Sequence, residues 1–297
     1  MRCGHAPIIK NARTKKMNNI LVAIDLAKEN ERVLSRAVKI ALNSNAKLHV
    51  LHVFHNMSFP DIRRDIASDP GRCKSDIRKF MEKNDHIGKI EFSIHIAHGG
   101  RVYDRVGEYA RKIPADLVIV GKSDRSRDAP DFVSTTTERI LVESYYPVLV
   151  VARDAGSPYK NILVRMDAPS MSETGLALVS KLGPECRVTL LAPESRFQPD
   201  SGIVSGLKRK LHDWRLRKFM REAEARLKSG GMPEGGLVYV EAANLEVETL
   251  INEARERDAD VLAFKARPSR NMPHKPHALT RKLLEKTPYD ILVVGRE

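Results

Sequence analysis

Runs rich in consecutive apolar residues alternate with amphipathic stretches along almost the whole chain. Ile20 to Asp25, Leu48 to Phe54, Ile90 to Ala97, Leu117 to Val120 and Val148 to Val151 are expected to be strands, most of them apolar enough to be covered on both faces. Between them apolar residues fall three or four apart, as in Val33, Ala37, Ile40 and Ala41 or in Ile77, Phe80 and Met81, and this spacing predicts helices. Further helices are expected over Val102 to Arg111 and Thr135 to Ser144. The order then returns. Strands are expected at Ile162 to Asp167, Arg187 to Ala192, Gly236 to Val240, Val261 to Phe264 and Ile291 to Val294, with helices near Glu173 to Lys181, Leu207 to Lys228, Val247 to Arg257 and Leu279 to Lys286.

The recurrence is visible residue by residue. Asn19-Ile20-Leu21-Val22-Ala23-Ile24-Asp25 comes back as Asn161-Ile162-Leu163-Val164-Arg165-Met166-Asp167, 142 residues later. Ala115-Asp116-Leu117-Val118-Ile119-Val120 matches Ala259-Asp260-Val261-Leu262-Ala263-Phe264 at an offset of 144, and Val148-Leu149-Val150-Val151 matches Ile291-Leu292-Val293-Val294 at 143. Three matches at nearly one spacing define two tandem copies of one α/β domain, each a five-stranded parallel sheet with helices on both faces. The first is expected over 17–153 and the second over 158–297, joined by a tether short enough that the copies pack together.

A composition of 42% hydrophobic and 30% charged residues fits globular domains with cores of their own. The longest apolar runs, such as Val148 to Ala152, fall far short of the ~20 residues of a membrane helix. Cys3, Cys73 and Cys186 are odd in number and scattered, which predicts reduced thiols and a cytoplasmic setting. The net charge of +13 suggests nucleic acid until it is divided. Residues 1–16 hold five basic residues and no acid, whereas 17–153 carry 22 basic against 18 acidic and 154–297 carry 24 against 20. The excess thus sits in a basic N-terminal arm, read either as a disordered tail ahead of a start at Met17 or as an electrostatic tether to RNA, DNA or anionic lipid.

Open parallel sheets bind ligands beyond the carboxyl ends of their strands, where helix N-termini present free N–H groups to anions. Asp25 ends the first strand and Gly121 the fourth. A polar loop from Lys122 to Val133 follows, and then Ser134-Thr135-Thr136-Thr137-Glu138 opens a helix. Thr135 and Glu138 have capping-box spacing, and the hydroxyls could hold phosphate oxygens with charge from Lys122, Arg125 and Arg127.

Here the chain resembles the universal stress protein family, most closely its tandem bacterial members, over nearly everything from Met17 to Glu297. The family's nucleotide-binding members carry Gly, two residues, Gly, nine residues, Gly and Ser/Thr between strand four and the last helix. The first glycine falls on Gly121 and the terminal Ser/Thr on Thr135, with Glu138-Arg139 following as is common there. Asp25 matches the acid that ends the first strand, and Val53 matches the valine lining the adenine site. The resemblance implies a Rossmann-like, adenine nucleotide α-hydrolase-like fold, a role in stress response, and ATP or AMP bound in the first copy by Asp25, Val53, Gly121, Asp124, Ser134, Thr135 and Thr136. It implies no metal beyond the magnesium that accompanies nucleotide, and at most slow hydrolysis.

Two departures weaken that ligand. Asp124 and Ser134 stand where the family has glycine, whose missing Cβ allows backbone to approach phosphate. The Asp124 charge, at ~4 to 6 Å from a polyanion and an effective dielectric near 20, repels each phosphate charge by about 3 to 4 kcal/mol. In the second copy the signature positions fall on Lys265, Pro268, His277 and Ala278, and no cradle survives, although Lys265, Arg267, Arg270 and Lys275 leave a basic loop. The expectation is therefore a sensor or scaffold rather than an enzyme. Its partners would be itself, as an internal pseudo-dimer or a homodimer, and further proteins. Nucleic acid enters as an alternative partner through the arm and the basic helix around Trp214.

Other constellations say less. His86-Ile87-Gly88-Lys89 lacks the second histidine of an adenylyl-transferase motif, and His274 and His277 lack a third ligand. His49, His52 and His55 lie three apart on a strand and cannot share one face. The chain contains no Gly-x-Ser-x-Gly elbow and no Walker loop.

Overall fold

The structure is a computed structural model that describes residues 16–25, 30–54, 69–122, 135–153, 158–166, 173–183, 185–193, 217–225, 227–229, 232–265 and 278–294. The first repeat runs β1 (Asn19–Ile24), α1 (Asn30–Ser44), β2 (Lys47–Phe54), α2 (Pro70–Glu82), β3 (Phe92–His98), α3 (Val102–Lys112), β4 (Leu117–Gly121), α4 (Thr136–Glu143) and β5 (Val148–Val151). The second runs β6 (Asn161–Arg165), α5 (Glu173–Leu182), β7 (Arg187–Pro193), β8 (Leu237–Ala242), α6 (Val247–Glu256), β9 (Val261–Lys265), α7 (Ala278–Lys286) and β10 (Asp290–Val294), with further helical residues at 217–225 and 227–229. The basic arm up to residue 15, Trp214 and the loops 123–134 and 266–277 lie outside the described residues.

The ten strands of the described residues form one sheet in the order β3-β2-β1-β4-β5-β10-β9-β6-β7-β8. Every pairing within a repeat is parallel, and the repeats join where β5 meets β10 antiparallel, Leu149 opposite Leu292. The seam that the sequence left open between one chain and two is thus made inside the chain. Strand side chains alternate between two apolar layers. Ile20 and Val22 face α1 and α2, while Leu21 and Val118 face α3 and α4. Ile162 and Val164 meet α5 and Leu227 in the second repeat, and Leu163 meets α6 and α7. Both layers run unbroken across the seam, where α1 packs on α5. Burying Leu149 and Leu292 there stabilises the junction by roughly 1.5–3 kcal/mol per side chain.

Recurring residues explain the local geometry. Asp116 Oδ2 accepts from Asn18 N and Asn19 N at 2.7 and 3.2 Å, and Asp260 Oδ2 does the same for Lys160 N and Asn161 N at 2.6 and 3.0 Å. Each aspartate therefore anchors the start of its neighbouring first strand, a structural role for the repeated Ala-Asp pair. α2 starts on Asp69, whose carboxylate accepts from Gly71 N at 2.8 Å ahead of Pro70 in the first turn. The outermost strands depart from the sequence expectation. β3 and β8 are only partly buried along their length, because each has a neighbour on one side only.

Candidate nucleotide site at the carboxyl edge of the first repeat

Within the first repeat the strand order 3-2-1-4-5 reverses between β1 and β4, which makes their carboxyl ends the switch point where sheets of this kind bind ligands. Ala23 pairs with Val120, and Asp25 and Gly121 therefore leave adjacent strands at the same edge. Asp25 is exposed. Gly121 packs against α1, since a Cβ there would stand 3.3 Å from Val33 Cγ2. Val53 is buried in β2 beside Ala97 of β3.

The N-terminus of α4 completes the edge. Thr135 is its N-cap: the hydroxyl oxygen accepts from Glu138 N at 3.2 Å, and Glu138 Oε2 accepts from Thr135 N at 2.8 Å. This reciprocal capping box satisfies two donors that phosphate would otherwise meet and places a buried carboxylate at the positive end of the helix. Thr137 donates its hydroxyl to Gly121 O at 2.9 Å and clamps α4 to the end of β4. The Thr135 hydroxyl keeps its single O–H as a donor, and Thr136 is exposed. Lys122, expected to supply charge to the phosphates, instead donates to Thr287 O at 3.0 Å, at the C-terminal end of α7 in the second repeat. Asp25, Gly121, Thr135 and Thr136 are therefore brought together, with Val53 in the adjoining strand. Asp124 and Ser134, with Arg125 and Arg127, lie outside the described residues. In the second repeat Lys265 ends β9 in the matching place, and the rest of its basic loop is likewise undescribed.

Two clusters went unseen in the sequence. At the opposite edge, His49 Nδ1 lies 3.2 Å from His95 Nε2, with Ser93 Oγ 3.0 Å from both nitrogens. His49 Nε2 faces Asn19 Oδ1 at 3.2 Å, which assigns the ring proton to Nε2 and the lone pair to Nδ1. Burial, reinforced by the neighbouring His95, pulls the His49 pKa down to about 4, and burial also lowers that of His95. His52 points to the other layer, Nδ1 meeting Ile24 O at 2.9 Å, so His49 and His52 do lie on opposite faces. Among the described residues no group of three or more His, Cys, Asp or Glu is arranged to hold a metal.

The second cluster is at the seam. Asp290 stands at the head of β10, where the first repeat has Pro147, and it gathers Tyr159, Arg36 and two backbone amides. A charged residue amid the apolar stripe of Val33, Ala37 and Ile40 was the one available signal for it.

Two α/β repeats, each a parallel sheet flanked by helices and joined edge to edge at β5 and β10, define a tandem protein of the Rossmann-like class. A profile of the Universal stress protein family matches residues 16–152, the first repeat. Universal stress protein A homolog 1 of Coxiella burnetii is 31% identical over 111 residues, covering 35% of this chain and 74% of that protein. Two solved structures extend over both repeats. A universal stress protein from Archaeoglobus fulgidus is 15% identical with a TM-score of 0.67, over 95% of this chain and 97% of that one. A functionally unknown protein from Pseudomonas aeruginosa PAO1 is 16% identical with a TM-score of 0.66, over 95% and 93%. At such identities the two structures speak for the fold. The chain belongs to the universal stress protein family.

Proposed function

We propose that this chain acts in the cytoplasm as a tandem universal stress protein that senses or scaffolds rather than catalyses, without tight ATP binding. The observation that carries the reading is how the carboxyl edge of the first repeat spends its donors: Thr135 N on Glu138, the Thr137 hydroxyl on Gly121 O and Lys122 on Thr287 O. A nucleotide phosphate would have to displace these contacts, each worth about 1 kcal/mol, while facing the charge of Asp124. The second repeat then serves as a built-in partner that covers the β5 edge and leaves its surface for protein contacts.

A second reading, weak ATP or AMP binding with at most slow hydrolysis, draws support from the remaining Thr135 O–H and the exposed Thr136 beside Asp25 and Gly121. Calorimetric titration with ATP distinguishes the two. The first predicts no measurable heat at ligand concentrations up to about a millimolar, corresponding to binding weaker than roughly −4 kcal/mol. Restoring glycine by Asp124→Gly with Ser134→Gly then brings binding into range. Saturable ATP binding by the unaltered chain in the micromolar range overturns it.

A further inference from the structure

The helical layers of the two repeats differ at one place. In the second repeat Ile251 packs onto the core made by α6 and α7, and Lys286 Nζ lies 2.9 Å from Glu248 Oε1, tying the two helices together. The matching positions of the first repeat, 144 residues earlier along α3 and 143 earlier along α4, carry Gly107, Asp104 and Glu143. A glycine replaces the isoleucine, and two acidic residues stand at the positions of the salt-bridged pair. A Cβ built on Gly107 meets nothing within 4 Å. The result is a cavity of about 340 Å³ between α3 and α4. Val106, Ala110, Val118 and Ile140 make its apolar floor, and Tyr103, Tyr145 and Tyr146 stand around it. Tyr145 is 75% exposed, an unusual cost for a ring that could have been buried.

The charges around the opening are graded. Asp104 is exposed at one end, Glu108 is engaged by Arg105 Nη1 at 2.8 Å, and Arg111 lies two helical turns from Asp104, roughly 10 Å away along α3. Arg101 and Arg139 each stand 5.9 Å from the Tyr103 ring. Tyr145 and Tyr146, which follow the C-terminal end of α4, line the same cavity above its apolar floor. We propose that this cavity binds a small organic cation with an apolar or aromatic body. Its ammonium or guanidinium group meets Asp104, and its apolar body fills the gap left by Gly107 toward Tyr145 and Tyr146. The cavity runs along α3 from Asp104 in its first turn toward the amino ends of β4 and β5, and the proposal does not depend on whether nucleotide binds.

The test is a calorimetric or NMR titration of the full chain with 2-phenylethylamine and with phenylacetate, which share a ring and carry opposite charges. The amine is expected to bind at least roughly tenfold more tightly than the acid, and Asp104→Asn to weaken the amine about fivefold or more. Gly107→Ile copies the second repeat and is expected to abolish binding while leaving the thermal transition unchanged or raised, because glycine is a poor helix former. Asp104→Asn changes an exposed side chain and gives a result even if the filled cavity perturbs folding. Equal affinity for the two probes, binding that survives Gly107→Ile in a folded protein, or no binding of the amine by the unaltered chain overturns the proposal.

Discussion

The Tyr159 hydroxyl donates to Asp290 Oδ2 at 2.5 Å, linking the segment that leaves the first repeat to the last strand of the second. Asp290 is fully buried, and its Oδ1 accepts from Ala152 N and Arg153 N at 2.8 and 2.9 Å. Arg36 of α1 supplies the countercharge, its Nε 3.5 Å from Oδ2 and its guanidinium 4.0 Å from the Tyr159 ring centroid. Burial, with the Asp290 charge added, pushes the Tyr159 pKa well up, so the phenol stays a donor. Asp290→Ala would leave Arg36 without that charge and two amides without their acceptor. It is expected to cost about 3–5 kcal/mol, against about 1–2 for Tyr159→Phe, both read from urea unfolding. A loss below about 1 kcal/mol for Asp290→Ala would show that the seam holds without it.

The His49–Ser93–His95 cluster predicts a pH dependence. With a folded pKa of about 4 for His49 and a value near 6.5 in the unfolded chain, the unfolded state binds more protons between those values. Stability is therefore full above about pH 6.5 and declines as pH falls toward 4, by roughly 1–3 kcal/mol from this residue. Burial lowers His95 and His52 as well, and both act in the same direction. Melting temperature measured from pH 7 to 4.5 should fall more steeply for the unaltered chain than for His49→Gln with His95→Gln. Parallel curves would remove the cluster from the account.

Gly183 is held by packing rather than by backbone conformation. A Cβ on it would come within 2.1 Å of Cys186 Sγ and 3.1 Å of Tyr159 O. Cys186 donates its thiol to Tyr159 O at 2.9 Å, and burial pushes its pKa up to about 12. Gly183→Ala is expected to destabilise by about 1–3 kcal/mol, with partial recovery when Cys186→Ala makes room. An additive double variant would contradict this contact. The same burial makes Cys186 and Cys73, whose pKa rises to about 11, slow to react with thiol reagents until the protein unfolds.

The capping box is testable on its own. Thr135→Ala removes the acceptor for Glu138 N and should cost about 1 kcal/mol in thermal or urea unfolding, while Thr135→Ser should be nearly neutral. Equal losses for the two would place the role of Thr135 outside the cap.

Much of the architecture was legible in the sequence because strand and helix periods are local. Ile20 to Asp25 and Ile162 to Asp167 announce the same strand twice, and Thr135 with Glu138 announces a capping box. Contacts between distant segments were not legible. His49 meets His95 only because β2 and β3 pair in one register, and Asp290 meets Arg36 only because β5 and β10 pair at the seam. The nucleotide edge lay between these cases. Gly121 and Thr135 stood out by spacing, but that Lys122 turns to Thr287 depends on how the second repeat docks. The partial exposure of β3 had a signal in the sequence that the strand assignment passed over, since Glu91, Ser93 and His95 alternate with Ile90, Phe92, Ile94 and Ile96, whereas the place of β8 at the other edge followed from sheet order.

The most direct test of the central claim, a tandem universal stress protein whose phosphate-facing donors are already engaged, is mass spectrometry of small molecules released from the chain purified without added nucleotide. The account predicts that no adenine nucleotide is released. Release of ATP or AMP at about one per chain, which requires affinity near or below the micromolar range to survive purification, would contradict it.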